Sequence, residues 1–130
     1  MKTRYTVVLS MIAGAALGGA AIQGLHAQAK PPAYLVIEIN KVTDAEGFKV
    51  ITQRPRGGAD VAKELGGHYI ARTSNITALD GTAPERFIVY AFDSVEKAQA
   101  FNNSSYMKEV NAIRGKTTQA RSFIVEGTQQ

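Results

Sequence analysis

The sequence predicts an α+β domain in which one four-stranded antiparallel sheet carries its helices on a single face. Three observations lead there. Between Ala33 and Glu126 the signals run strand, helix, strand, strand, helix, strand; nearly every run ends at a capping residue, a glycine or a proline; and no repeat, low-complexity tract or second domain interrupts the order.

Ala33 to Val42 has the two-residue period of a strand, with Leu35, Ile37 and Ile39 on one face and Tyr34, Val36, Glu38 and Asn40 on the other. Thr43-Asp44-Ala45-Glu46 then has the form of a capping box, with Thr43 accepting from the amide of Glu46 and Glu46 reaching back, so a helix is expected to start there. Arg54-Pro55-Arg56-Gly57-Gly58 interrupts that helix, because Pro55 disfavours helical geometry at the residue before it and the glycines raise the entropy lost on ordering. A second helical piece, with Val61 and Leu65 one turn apart, stops at Gly66-Gly67. The next strand is His68 to Thr73, followed by a weaker extended piece, Ile76 to Leu79, that ends at the turn pair Asp80-Gly81. Arg86 to Phe92 is nearly continuous in apolar and aromatic residues, as a central strand should be. Ser94 caps a short helix with Val95, Ala98 and Phe101 on one side; Asn102 to Ser105 breaks it, and a further helix carries Met107, Val110 and Ile113 up to Gly115. Arg121 to Glu126 is the last strand.

This order is that of a ferredoxin-like βαββαβ sandwich, in which right-handed crossovers place both helical layers on one face of the sheet. Leu35, Ile37 and Ile39 are expected under the helices, and parity assigns Phe87, Val89, Ala91, Phe123 and Val125 to the same layer. The opposite face would hold Tyr34, Val36, Glu38, His68, Arg72 and Tyr90, together with Ile70, Ile88, Phe92, Ile124 and Glu126. That face is too apolar to leave in water, so a second subunit is expected to cover it.

Ahead of the domain stand Lys2 and Arg4, an uncharged run from Tyr5 to Leu25, and Ala27-Gln28-Ala29. A basic start, an apolar middle and a small-x-small end are the parts of an export signal peptide, cleaved after Ala29 and leaving one domain at residues 30–130 in the periplasm or secreted. The run is also long enough to span a bilayer as an uncleaved anchor, although its glycines and alanines make it only weakly apolar. Cleavage lowers the formal charge from +4 to +2 and leaves His68 as the one histidine. The basic residues are scattered singly, which argues against nucleic acid as a partner, and no membrane contact is expected once the leader is gone. The chain has no cysteine, so no disulfide stabilises the domain and its core or a partner subunit must do so.

Glu46-Gly47-Phe48-Lys49, Gly66-Gly67-His68-Tyr69, the strand Arg86 to Phe92, Asn103-Ser104-Ser105-Tyr106, Arg114 and Arg121 to Gly127 together resemble the domain of unknown function 1330 family, from Ala33 to Gly127. The resemblance implies a ferredoxin-like fold of the dimeric α/β-barrel type, with the sheets of a homodimer packed face to face, and no established activity. Relatives of that barrel type include small monooxygenases, isomerases and haem-degrading enzymes.

On the expected topology the third strand lies between the first and second, so Glu38, Tyr90 and Arg72 fall at one level, with Glu38 and Arg72 roughly 10 Å apart at the backbone. These residues and His68 form the candidate site. Arg72 would hold a carboxylate or an enolate while His68 or Glu38 moves a proton. The alternative is that Glu38 and Arg72 form a structural ion pair in the dimer interface and His68 is an edge residue. Glu38 and Glu126 are too far apart along the sheet to act as an acid pair. With one histidine in residues 30–130 and no cysteine no metal site is expected, and with no nucleotide-binding fingerprint no cofactor is expected. Two functions stay open: an exported homodimer binding a small apolar or acidic ligand, or a partner, between its sheets, and a cofactor-free isomerase or monooxygenase. Mass spectrometry of protein recovered from the exporting cell is expected to give a chain that begins at Lys30; a full-length mass would instead show a retained leader.

Overall fold

In the computed structural model, residues 30–129 are described, and the leader with its cleavage site lies outside them. Four strands, β1 (Ala33–Val42), β2 (His68–Thr73), β3 (Arg86–Phe92) and β4 (Thr118–Glu126), form one sheet in the order β2-β3-β1-β4, with every neighbouring pair antiparallel. The helices are α1 (Ala45–Thr52), α2 (Gly58–Glu64), α3 (Val95–Asn102) and α4 (Ser105–Thr117). This is the expected ferredoxin-like α+β architecture, with each helical layer built from two short helices. Among the described residues no helix is long and apolar enough to cross a membrane.

Local chemistry explains most boundaries. Ser94 accepts from the amide of Lys97 and Ser104 from that of Met107, each satisfying a free donor in a first turn. Gly66 ends the second helical piece in the left-handed region at φ 81°, a conformation that a side chain resists. Three expectations are corrected. The cap of α1 is Asp44, which accepts from the Gly47 amide, while Glu46 turns to Lys49 in place of closing a box with Thr43. Ile76 to Leu79 forms no strand. Finally, α4 runs through Gly115 to Thr117, so β4 begins three residues earlier than expected, at Thr118.

The pairing register corrects the assignment of faces. Residues directly opposite in an antiparallel ladder share a face, and Leu35, Ile37 and Ile39 stand opposite Tyr90, Ile88 and Arg86. The helix layer therefore receives Ile88, Tyr90 and Phe92, while Phe87, Val89 and Ala91 lie on the other side with Tyr34, Val36 and Glu38. Against β4, Tyr34 and Val36 face Val125 and Phe123, which also belong to the open face, and Ile124 moves under the helices. A shift of one residue reverses every side chain on a strand, and the parity assumed from sequence was out by that one step.

The core is built on the helix side, around Leu35, Ile37 and Ile39 from β1, Phe101 from α3 and Met107 from α4. Phe101 packs its ring 4.7 Å from Tyr90 and 5.3 Å from Phe92. Gly67 makes room for this cluster, since a β-carbon there would run into the Phe92 ring. Phe101→Ala is expected to destabilise the domain by about 3–5 kcal/mol, much of a typical small domain's stability. Val50→Ala, at a position 52 % exposed, should change it by less than about 0.5 kcal/mol. Urea unfolding of both variants checks the contrast.

Candidate functional site

The site is assembled around an irregularity in β2. Pairing with β3 puts Tyr69 opposite Tyr90 and then shifts between Tyr69 and Ala71, so that Arg72 comes opposite Ile88. The bulge lets both Tyr69 and Arg72 face the helices, which three positions of regular alternation would forbid. The Tyr69 and Tyr90 rings stack with centroids 4.3 Å apart, and the Tyr90 hydroxyl donates to the Tyr69 oxygen across 2.8 Å. The chain break after α1 closes over this pair. A β-carbon at Gly58 would collide with both hydroxyls, so only glycine lets the backbone approach so closely.

Between these tyrosines and the helices is a cavity of about 140 Å³. Its apolar walls come from Ile37, Ile39 and Ile88 on the sheet, Phe48 and Ile51 on α1, and Met107 and Val110 on α4. Its polar lining is cationic and phenolic: Arg54, Arg72, Arg86 and Arg114 with Tyr69, Tyr90 and Tyr106. Among the described residues that line it there is no carboxylate or imidazole. Arg54 pairs with Glu109 and lies 5.2 Å from the Tyr106 ring centre; Arg72 lies 5.4 Å from that of Tyr69 and Arg86 5.3 Å from that of Phe48. Arg114 is only 7 % exposed and donates to the neutral Asn111 Oδ1.

Burial dominates the acid–base character of these groups. It raises the Tyr90 phenol far above the ordinary tyrosine value, with the hydrogen bond to Tyr69 adding to the effect and nearby Arg72 opposing it. Burial also raises Tyr106, assisted by Tyr69. It lowers Arg114, with Tyr90 acting in the opposite sense; a guanidinium nevertheless stays charged at neutral pH.

Of the residues expected at the site, Arg72 and Tyr90 come together, but beneath the helices. Glu38 is on the opposite face, where it accepts from Arg121 Nε across 2.6 Å, so the ion pair expected with Arg72 is made with Arg121. His68 is exposed and shares that open face, opposite Ala91. Glu126 stands opposite Ala33, five residues along β1 from Glu38, in agreement with the rejection of an acid pair. Sequence reasoning missed Tyr69, Arg54 and Arg86. The signal available for Arg86 was its parity with Tyr90, whereas that for Tyr69 was hidden by the bulge.

Fold and cavity together define the class: a ferredoxin-like α+β domain with a cationic and phenolic cavity between its sheet and its helices. The chain belongs to the domain of unknown function 1330 family, whose model matches residues 32–128. Among solved structures it is similar to a protein of unknown function from Rhodopseudomonas palustris, at 12 % identity and a TM-score of 0.56, covering 85 % of this chain and 93 % of that one. It is also similar to SnoaB, a cofactor-independent oxygenase from Streptomyces nogalater, at 8 % identity and a TM-score of 0.51, covering 77 % of this chain and 96 % of that one. At these identities the likeness is one of fold. No curated protein matches the chain.

A buried phenol with a raised pKa ties stability to alkaline pH. The unfolded chain releases this proton near the ordinary value of about 10 while the folded chain retains it, so the stabilisation is intact below that pH and declines above it. Tyr90→Phe is expected to flatten the decline, as measured by urea midpoints between about pH 9 and 11. An unchanged slope would remove Tyr90 as its source.

Proposed function

We propose that this is an exported homodimeric domain that binds a small organic molecule in the cavity between its sheet and its helices. The observation that carries the reading is the cavity itself, whose isoleucine, phenylalanine, methionine and valine walls are interleaved with four arginines and which is floored by the hydrogen-bonded Tyr69–Tyr90 pair. The ligand place thus moves from between two sheets to beneath the helices. The dimer is supported by the open face, where Phe123 and Val125 are 39 % and 44 % exposed beside Tyr34, Val36 and Phe87. A second copy would cover this row and enclose the Glu38–Arg121 pair.

The alternative was an isomerase or monooxygenase working through Glu38, Arg72 and Tyr90. Its proton carriers, Glu38 and His68, are across the sheet from the cavity. The groups that do line it are guanidiniums and phenols, of which Tyr90 and Tyr106 are held protonated, and these stabilise or donate to a ligand without accepting a proton from it. Binding therefore accounts for the lining better than proton abstraction does.

Phenol, a neutral single-ring probe, is expected to shift the NMR signals of Ile37, Ile88, Met107 and the tyrosine rings, and Val110→Phe, which fills the cavity, should abolish the shifts. Native mass spectrometry should give a dimer that Val125→Asp converts to a monomer. The absence of any phenol-induced shift inside the cavity would overturn the binding reading, and a wild-type monomer would overturn the dimer.

A further inference from the structure

Three guanidiniums converge on the cavity without a carboxylate partner. Arg72 stands opposite Ile88, and Arg86 is two residues from Ile88 on the same face of β3. That makes them diagonal neighbours, about 7–8 Å apart at the backbone. Both line the cavity and also the shallow surface depression beside Thr73 and Ser74. Among the described residues neither forms an ion pair, and each rests against an aromatic ring instead. Arg114, only 7 % exposed, enters from the opposite wall on α4, with the neutral Asn111 as its hydrogen-bond partner. Of the four lining arginines, Arg54 alone is matched by an acid, Glu109.

Like charges gathered from two walls of a half-enclosed space repel one another, and a buried cation without a counter-charge is strongly unfavourable. A ligand anion would supply that counter-charge, and a planar carboxylate suits the guanidinium fork best. The cavity volume limits the rest of the molecule. About 140 Å³ is close to the roughly 150 Å³ of an apolar cavity that accepts benzene, so there is room for one ring. The tyrosine pair adds a directional feature. Tyr90 uses its hydrogen on Tyr69, which leaves the Tyr69 hydroxyl hydrogen available to a ligand oxygen.

We infer that the ligand of this cavity is a monocyclic aromatic carboxylate, its carboxylate held by Arg72, Arg86 and Arg114 and its ring enclosed by the isoleucines, with Tyr69 donating to a ring oxygen. This rests on the binding reading above and names the chemical class that the site selects. The charge enters past Arg72 and Arg86, where the cavity adjoins the surface depression.

The test compares 4-hydroxybenzoate, phenol and inorganic phosphate by NMR titration of the full-length wild-type protein and of Arg72→Met and Arg86→Met. 4-Hydroxybenzoate should bind at least about tenfold more tightly than phenol, and each variant should lose about tenfold or more for the carboxylate, so that its preference for 4-hydroxybenzoate over phenol falls. Thermal unfolding confirms that each variant is folded; should one fail, the other carries the test. Phenol binding as tightly as 4-hydroxybenzoate would overturn the carboxylate assignment while leaving the cavity as a binding site. Phosphate displacing 4-hydroxybenzoate at equal affinity would overturn it in favour of an inorganic anion. Binding of none of the three would overturn both.

Discussion

Everything beneath the helices depends on the register in which β1 meets β3. With Leu35 opposite Tyr90 and Ile37 opposite Ile88, the aromatic residues of the central strand enter the layer that holds Phe101 and Met107. The same pairing brings Arg86 in opposite Ile39, so a cation is carried into an otherwise apolar layer. Had the pairing slipped by one residue, Phe87, Val89 and Ala91 would occupy that layer, and it would contain neither the tyrosine pair nor Arg86. The Tyr90–Phe101–Phe92 contacts favour the observed register, since the tilted rings of Tyr90 and Phe92 pack with their centres 4.7 and 5.3 Å from that of Phe101.

The second determinant is the bulge in β2, through which Tyr69 and Arg72 share a face despite being an odd number of residues apart. Its effect is chemical as well as geometric. Tyr69 supplies an acceptor for the Tyr90 hydroxyl, which would otherwise be buried without a partner, and Arg72 lies over the Tyr69 ring. The chain break at Arg54 to Gly58 completes the enclosure: its glycine is small enough to approach the two hydroxyls, and Arg54 ties the break to α4 through Glu109.

The two sheet faces thus divide the chemistry of the domain. One carries phenols and guanidiniums in a cavity with isoleucine walls, and the other carries an apolar row with the Glu38–Arg121 pair and His68. Grouping Glu38, Tyr90 and Arg72 from their level along the strands found a shared side for Tyr90 and Arg72, although Arg72 stands level with Ile88, two residues from Tyr90. It failed for Glu38, because neighbouring level says nothing about which way a side chain faces.

The order of elements, the capping serine at Ser94, the helix breaks around Pro55 and at Asn102 to Ser105, and the stop at Gly66 were legible in the sequence, because each follows from interactions within a few residues. Leu35, Ile37 and Ile39 as the buried face of β1 were legible too, from the contrast between the two sets of alternating positions. What only the tertiary structure decided was how strands distant in the chain pair with one another: which parity of β3 and β4 faces inward, where β2 bulges, and therefore that Arg54, Arg72, Arg86 and Arg114 gather around two tyrosines. Local periodicity marks that a strand has two faces, but the choice between them is made by hydrogen-bond registers and packing that span tens of residues.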